Sequence, residues 1–395
     1  MTATPSSAVT SLAAPTGAPF AGATPTLAEL TTLRVGGPVA SYVEASSEAE
    51  LVDAVRAADE EGTEVLVLGG GSNLLAADEP FPGLVVRDAR RSIEGTADSS
   101  CAGAALTVPA GQPWDEVVAT AVEHGWMGLE ALSGIPGSTG ATPVQNVGAY
   151  GQEVAETLSS VRVYDRLERR TRMLAVGELG LGYRTSVLKR SLTDPAAGGG
   201  RTWGPTPRYV VLEVSFQLRL ATLSAPVRYP ELARTLGVAV GARVPAGDVR
   251  AAVLELRRGK GMVLDGGDHD TWSAGSFFTN PIMPVEEADR LLPAEAPRYA
   301  VSDHTRIGQI GAAAPVVEGV VKTSAAWLIS HAGFEKGFGL GAPASLSTKH
   351  SLAVTNRGGA TAADLLALAR AVRDGVRDAL GIELVPEPVL LGATL

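Results

Sequence analysis

The stretch "GLEALSGIPGSTGATPVQNVGAYG", residues 128–151, decides how this chain is read. It is too apolar for a linker, yet it breaks every helical or strand period with Gly and Pro. Among those small residues stand Gln145 and Asn146, whose amides donate and accept hydrogen bonds. Packed tightly, such a passage fixes the edge of a heterocycle, or it is an Ω-type loop serving only the structure.

Working toward the N-terminus, a second glycine loop lies in "LGGGSNLL", residues 68–75. Before it come extended chain in "TTLRVGGPVASYVEA", a helix over "SSEAELVDAVRAADEEG", and an apolar strand in "TEVLVL". Ser47 and Glu50 predict a capping box for that helix, Leu51, Val52 and Val55 its apolar face, and Gly62 its end. The glycines let backbone approach a pyrophosphate and offer it several N–H donors, or they make only a tight turn. The loop is not the dinucleotide fingerprint, because Leu74 stands where a third glycine belongs, and no GK[ST] sequence marks a Walker loop. Strands in "GLVVRDA" and "ALTVPAG" and a helix in "PWDEVVATAVEHG" connect the two glycine passages.

Toward the C-terminus, "SLTDPAAGGGRTWGPTP" (191–207) reads as a Pro/Gly-rich surface loop before the strand "RYVVLEVSFQL". A new segment begins near residue 221. It carries helices at about 248–258, at Ser324 to His331, and over "TAADLLALARAVRDGVRDALG", the last capped by Thr361 and ended by Gly381. The strand-like "HSLAVTN" lies before that last helix and "IELVPEPVLLG" after it. The fold class is therefore α+β with two substantial lobes.

Composition narrows the function. The 395 residues are 45% hydrophobic and 19% charged, as in a globular protein with sizeable cores. A net charge of −10 excludes the clustered Lys and Arg of a nucleic-acid surface or a polybasic membrane contact, which leaves small molecules as partners. The single cysteine, Cys101, forms no internal disulfide and fits the cytoplasm. Residues 1–26 are rich in Ala, Pro, Thr and Ser, lack any Lys or Arg, and read as a disordered tail without the basic start of a signal peptide. No run has the length and apolarity of a membrane span.

Four short stretches offer chemistry. In "LGYRTSVLKR", Arg184 follows an aromatic residue in a Gly-preceded turn, suiting a guanidinium fixed over an anion or a surface ion pair. In "LVPEPV", two prolines mount Glu387 rigidly. "LDGGDHD" sets Asp265, Asp268, His269 and Asp270 together, but its glycines fit a solvated loop better than a metal site, and no metal is assigned. In "WSAGSFFTNP", residues 272–281, Ser276 is no nucleophile elbow. It is either a buried turn residue or a hydroxyl that gives a proton to a carbanion.

Taken in order, "TTLRVGG", "LGGGSNLL", "GIPGSTGATPVQNVGAYG", "GYRTSVLK", "SAGSFFTNP", "WLI" and "PEPVLLG" resemble the UDP-N-acetylenolpyruvoylglucosamine reductases, from about Thr31 to Leu391. The resemblance implies a vanillyl-alcohol-oxidase-like (PCMH-type) FAD-binding region over 27–220 and a C-terminal α+β substrate-binding domain over 221–382. A final segment, 383–395, would return to the active site. It implies FAD held by Gly69, Gly70, Gly71, Ser72 and Asn73 at the pyrophosphate, with Gly137, Gly140, Thr142, Gln145, Asn146, Gly148 and Ala149 along the cofactor. Arg184, Ser276 and Glu387 fall on the catalytic positions. Tyr229, Lys260 and Asn280 fall on substrate contacts, and His350 stands where some members have glutamine.

The implied reaction takes hydride from NADPH to FAD and on to UDP-N-acetylglucosamine enolpyruvate, yielding UDP-N-acetylmuramate for peptidoglycan. A flavin oxidase on the same scaffold and a non-catalytic UDP-sugar binder are the alternatives. The "AGSFF" and "PEP" stretches speak against the first, and retention of all three catalytic residue types against the second.

Overall fold

Thr26 opens the fold. Its hydroxyl accepts the N–H of Glu29 at 3.3 Å, and the Glu29 carboxylate reaches back to the Thr26 N–H at 2.7 Å. This reciprocal pair caps helix α1 (Leu27–Leu30). The structure is a computed structural model that describes residues 24–99, 103–303 and 314–395. Most of the expected tail, residues 1–23, and Cys101 lie outside the described residues, while Thr26 belongs to the fold. Helix α2 (Glu48–Glu61) starts at Ser47 as its sequence predicts. The Glu50 carboxylate, however, takes the N–H and hydroxyl of Ser46, both at 2.8 Å, so the reciprocal bond falls one residue earlier. Leu51, Val55 and Ala58 bury its inner face against a parallel sheet. That sheet runs β1 (Val39–Ala45), β4 (Phe81–Asp88), β2 (Val65–Leu68). The short strand β3 (Leu74–Ala76) lies outside it, just beyond the first glycine loop.

The second layer is an antiparallel sheet in the order β11 (Arg170–Ala175), β10 (Leu158–Asp165), β12 (Tyr209–Leu220), β6 (Gly103–Pro109), β5 (Glu94–Ser99). Strand β7 (Trp126–Met127) pairs with the end of β12. Helix α3 (Trp114–Glu123) covers one face, with the Trp114 ring 5.7 Å from Phe216. Strands β8 (Gly148–Ala149) and β9 (Gln152–Glu153) make a tiny hairpin turning at Tyr150 and Gly151. Helices α4 (Val187–Arg190) and α5 (Pro195–Gly198) follow.

The segment 191–207 is not the loose surface loop expected. Trp203 is 4% exposed, with its indole donating to the Gly198 carbonyl at 2.8 Å and Arg166 stacked 4.8 Å from its ring. The Thr206 hydroxyl accepts the Val67 N–H at 2.7 Å and so ties the segment to β2. A buried aromatic with a satisfied polar tip outweighs the turn-forming composition around it.

Residue 221 does not begin the distal core. Helices α6 (Pro230–Thr235) and α7 (Ala246–Gly259) bury Val227, Leu232, Val249 and Val253 around Ala131 of the long glycine passage. Arg250 pairs with Asp115 of α3 through contacts of 2.6 and 2.8 Å. The core beyond them holds β13 (Ile282–Pro284), α8 (Val285–Leu291), β14 (Arg298–Tyr299), β15 (Val320–Thr323), α9 (Ala325–His331), β16 (Ala344–Leu346), β17 (Val354–Asn356) and α10 (Ala362–Leu380). Phe277 and Phe278 are buried in it. Each stabilises the fold by roughly 1.5–3 kcal/mol. Leu33, Val35 and Leu75 of the first lobe belong to the same core, and Asp78 caps α10 through the N–H groups of Ala362 and Ala363. The last strand, β18 (Val389–Leu391), pairs in parallel with β3, bringing the C-terminal segment beside the first glycine loop.

Candidate active site

The two glycine passages pack backbone against backbone. A Cβ on Gly70 would lie 2.6 Å from the Gly137 Cα, and one on Gly71, whose φ is +61°, would lie 2.0 Å from the Leu30 carbonyl oxygen. Ser72 locks the contact by donating to the Pro136 carbonyl at 2.8 Å. The carbonyls of Gly71 and Asn73 are turned into the protein, accepting from Thr32 at 3.1 Å and Val389 at 3.0 Å. The N–H groups of Gly70, Gly71, Ser72 and Asn73 donate to no acceptor among the described residues. Four consecutive free donors form a concavity suited to the phosphates of a dinucleotide. The second passage spends its side chains on itself. Asn146, fully buried, donates to Glu153 at 2.6 Å and Gly182 at 3.2 Å and accepts from Ala155 at 3.1 Å, and Thr142 donates to Thr139 at 2.8 Å. A Cβ on Gly140 would lie 2.4 Å from that of Ala110, so this turn is pressed onto the end of β6.

Arg184, Glu387 and the Ser276 stretch meet where these loops end. Arg184 sits at φ 55°. That left-handed conformation is strained for a residue with a Cβ, costing on the order of 1–3 kcal/mol. Its guanidinium donates to the carbonyls of Gly148 at 2.8 Å and Asn146 at 3.4 Å, and its Nε lies 3.2 Å from Glu387 Oε1. Burial works against its charge, but the Glu387 carboxylate, with Tyr183 and Glu153 behind it, holds its pKa above the ordinary value. Glu387 is brought in by backbone pairing, its N–H donating to the Phe277 carbonyl at 2.9 Å. Ser276 is the neighbour of Phe277. It is half-buried, and its hydroxyl has no protein partner among the described residues.

Sequence reasoning missed three groups here. Tyr183 accepts the Asn280 N–H at 3.3 Å, and burial raises its pKa. Lys322 lies 4.4 Å over the Tyr183 ring, and Lys189 reaches the Glu387 carbonyl and Gln145 Oε1, both at 3.2 Å. Burial lowers the pKa of both lysines. Lys189 stands inside the quoted "GYRTSVLK", five residues after Arg184, so its place in that stretch was the available signal.

Three of the expected substrate contacts, Tyr229, Lys260 and His350, gather at the other end of the β8–β9 hairpin, whose base holds Arg184, while Asn280 stays beside Tyr183 at the Arg184 end. The Tyr229 ring, 41% exposed, meets Tyr150 edge-on at 5.4 Å. Lys260 lies 5.6 Å over the Tyr150 ring and forms an ion pair with Glu231. His350 is near enough for Lys260 and Lys336 to act on it, and burial first, then those charges, push its pKa down to about 4. Asn280 uses its Oδ1 on the Ala325 N–H at 2.9 Å, and its amide N–H2 has no partner among the described residues. Among the described residues, no group of His, Cys, Asp or Glu could hold a metal ion, and no helix is long and apolar enough to cross a membrane.

The fold and its free donor loop define a flavoprotein oxidoreductase, since residues 39–172 match the FAD binding domain family. Residues 268–391 match the family described as the UDP-N-acetylenolpyruvoylglucosamine reductase C-terminal domain. The chain is 55% identical to the reductase of that name from Saccharopolyspora erythraea, over 95% of this chain and 98% of the relative, and 51% identical to the one from Thermobifida fusca, over 93% and 97%. It therefore belongs to the UDP-N-acetylenolpyruvoylglucosamine reductase family. The crystal structure of the Thermus caldophilus reductase, 24% identical, covers 93% of this chain and 97% of its own with a TM-score of 0.57, which shows the shared fold.

Proposed function

We propose that this enzyme reduces the enolpyruvyl ether of UDP-N-acetylglucosamine to the D-lactyl ether of UDP-N-acetylmuramate, a peptidoglycan precursor, with NADPH as reductant in the cytoplasm. The observation that carries the reading is the convergence of a fixed guanidinium, a carboxylate and a partnerless hydroxyl beside a loop of free N–H donors. The residues fit FAD, with the donors of Gly70 to Asn73 at its diphosphate and the passage from Gly137 to Ala149 alongside. When bound, FAD supplies hydride transfer, taking hydride from the nicotinamide and giving it up to C3 of the enolpyruvyl group.

Hydride arrival at C3 leaves negative charge at C2, spread into the carboxylate as an enolate, and stabilising that charge is the task of the protein. Arg184 supplies a cation whose position two carbonyls have fixed in advance. Ser276 delivers the proton to C2. Glu387 orients the substrate carboxylate through a hydrogen bond, for which it needs a proton or a bridging donor, because two bare carboxylates repel. Tyr229, Lys260, His350 and the amide of Asn280 hold the UDP-sugar, Lys260 exchanging Glu231 for the diphosphate.

Stopped-flow absorbance of the flavin tests the assignment. Ser276→Ala should keep the rate of bleaching by NADPH and slow reoxidation by the enolpyruvyl substrate about 10²–10⁴-fold, as loss of a general acid does. An unchanged reoxidation rate removes Ser276 from the proton-donor role.

A further inference from the structure

Glu387 is served on one oxygen only. Gln145 Nε2 donates to Oε1 at 3.2 Å, and Arg184 Nε lies 3.2 Å from the same atom without the alignment of a hydrogen bond, while Oε2 accepts no hydrogen bond among the described residues. That asymmetry depends on which way the Gln145 amide is turned, since its oxygen and nitrogen are nearly the same size. Asn73 cannot settle it. It donates to Gln145 Oε1 at 2.8 Å, but its own amide could turn together with that of Gln145. Lys189 can, because its amine donates at 3.2 Å to Gln145 Oε1 and at 3.2 Å to the Glu387 carbonyl. An ammonium only donates, so both contacts require oxygen opposite it. The amine is held in place by the fold: Lys189 lies in α4, and its backbone N–H is taken by the capping hydroxyl of Ser186 at 3.2 Å.

We propose that Lys189 is a positioning residue for the reduction: it fixes the Gln145 amide, makes Oε1 of Glu387 the bonded oxygen, and leaves Oε2 as the atom that faces substrate and carries the proton when Glu387 is protonated. The chain of contacts runs Lys189 to Gln145 to Glu387. The charged and titratable groups around that carboxylate are Arg184 and Tyr183 from the turn before α4 and Lys189 from α4, with Glu153 of β9 and Lys322 of β15 behind Arg184. Removing the Lys189 amine withdraws positive charge and lets the Gln145 oxygen turn toward Glu387. Both changes loosen the hold on Oε1, so the carboxylate no longer presents Oε2 in one fixed direction.

The inference rests on the reading of Glu387 as a group that faces substrate, and the two flavin half-reactions separate the two claims. In Lys189→Met, bleaching by NADPH should stay within a few fold of wild type, while reoxidation by saturating enolpyruvyl substrate slows at least about tenfold. Lys189→Arg, which still donates to both oxygens, should restore most of the rate. Lys189→Met combined with Gln145→Leu should be no slower than the slower single variant, because the two act in one path. Should Lys189→Met fail to hold FAD, Gln145→Glu tests the same contact, since its carboxylate accepts from Lys189 and Asn73 but donates no N–H to Glu387, and reoxidation should slow while bleaching holds. An unslowed reoxidation in the variant measured, no rescue by Lys189→Arg, or multiplying effects in the double variant overturns the role of Lys189. If the wild-type protein is bleached by NADPH and is not reoxidised by the enolpyruvyl substrate, the catalytic reading itself fails.

Discussion

His350 shows at the scale of one residue what position in the fold does to chemistry. Its imidazole is half-buried beside Lys260, Lys336 and Arg257, with Glu231 opposing them, and it resists protonation until about pH 4. An unfolded histidine takes its proton near about pH 6.5. Between those values the unfolded chain binds the extra proton, so stability falls as pH falls through that window. Glutamine carries no such proton. The drop in melting temperature from about pH 7 to about pH 5 should therefore be smaller in His350→Gln than in wild type, and equal drops would show that the imidazole does not titrate as the site implies. Asp270, which Thr348 and Arg357 hold at about 2 against its burial, loses its contribution only at lower pH and does not confuse the comparison. The sequence made His350 legible as a position but not as a charge environment, because Lys336 and Glu231 reach it only through the fold. Lys189 eluded sequence reasoning for the same reason: a lysine in an amphipathic turn is ordinarily solvated, and nothing local says that Gln145 and a carbonyl 198 residues away will face it.

Among the elements, the two glycine loops act as one. Their compositions admit either a ligand loop or a structural turn at each, and the small residues serve first to let the loops touch each other, with Gly70 against Gly137 and Gly71 against Leu30. Gly70→Ala sets a methyl 2.6 Å from a backbone Cα that cannot swing aside. The variant should lose about 1–3 kcal/mol of stability to overpacking, and the FAD content of the purified protein should fall. Gly177→Ala is the matched control. A Cβ there meets nothing within 4 Å. Its stability should stay within about 0.5 kcal/mol of wild type, as for most surface changes. Denaturant midpoints and the ratio of flavin to protein absorbance report both, and an unaltered Gly70→Ala would mean that the loops are not in contact. The longer helices were legible because their apolar period is local, as in α2, α3, α7 and α10, with side-chain caps on α2 and α10 as well, whereas β10 and β11 and the short helices α4, α5, α6 and α8 drew no expectation. The segment 191–207 was not, because the partners of Trp203 and Thr206 lie on Arg166 and on β2.

For the whole molecule, the division at residue 221 is a change in sequence character more than a seam in the core. Helices α6 and α7 lean on Ala131 and Asp115, so the chain crosses back onto the first lobe after the composition changes. In the other direction, Leu33, Val35 and Leu75 are packed among the residues of α9 and α10, and Leu391 is part of the apolar cluster formed by α1, β2 and β4. The two lobes share apolar contacts that neither can bury alone. A fragment ending at residue 262 would leave Leu33, Val35, Leu74 and Leu75 open to water along with the unpaired edge of β3. Such a fragment, residues 24–262, includes the entire match to the FAD binding domain family. It should nevertheless be recovered aggregated or without a cooperative melting transition and should take up no flavin, whereas the full chain should be yellow and melt cooperatively. Adding back residues 263–395 as a second chain should restore flavin uptake if the shared core, rather than chain continuity, is what the first lobe lacks. A soluble, yellow 24–262 fragment would show that the first lobe is complete without its partner and that the return of β18 serves only to bring Glu387 to Arg184.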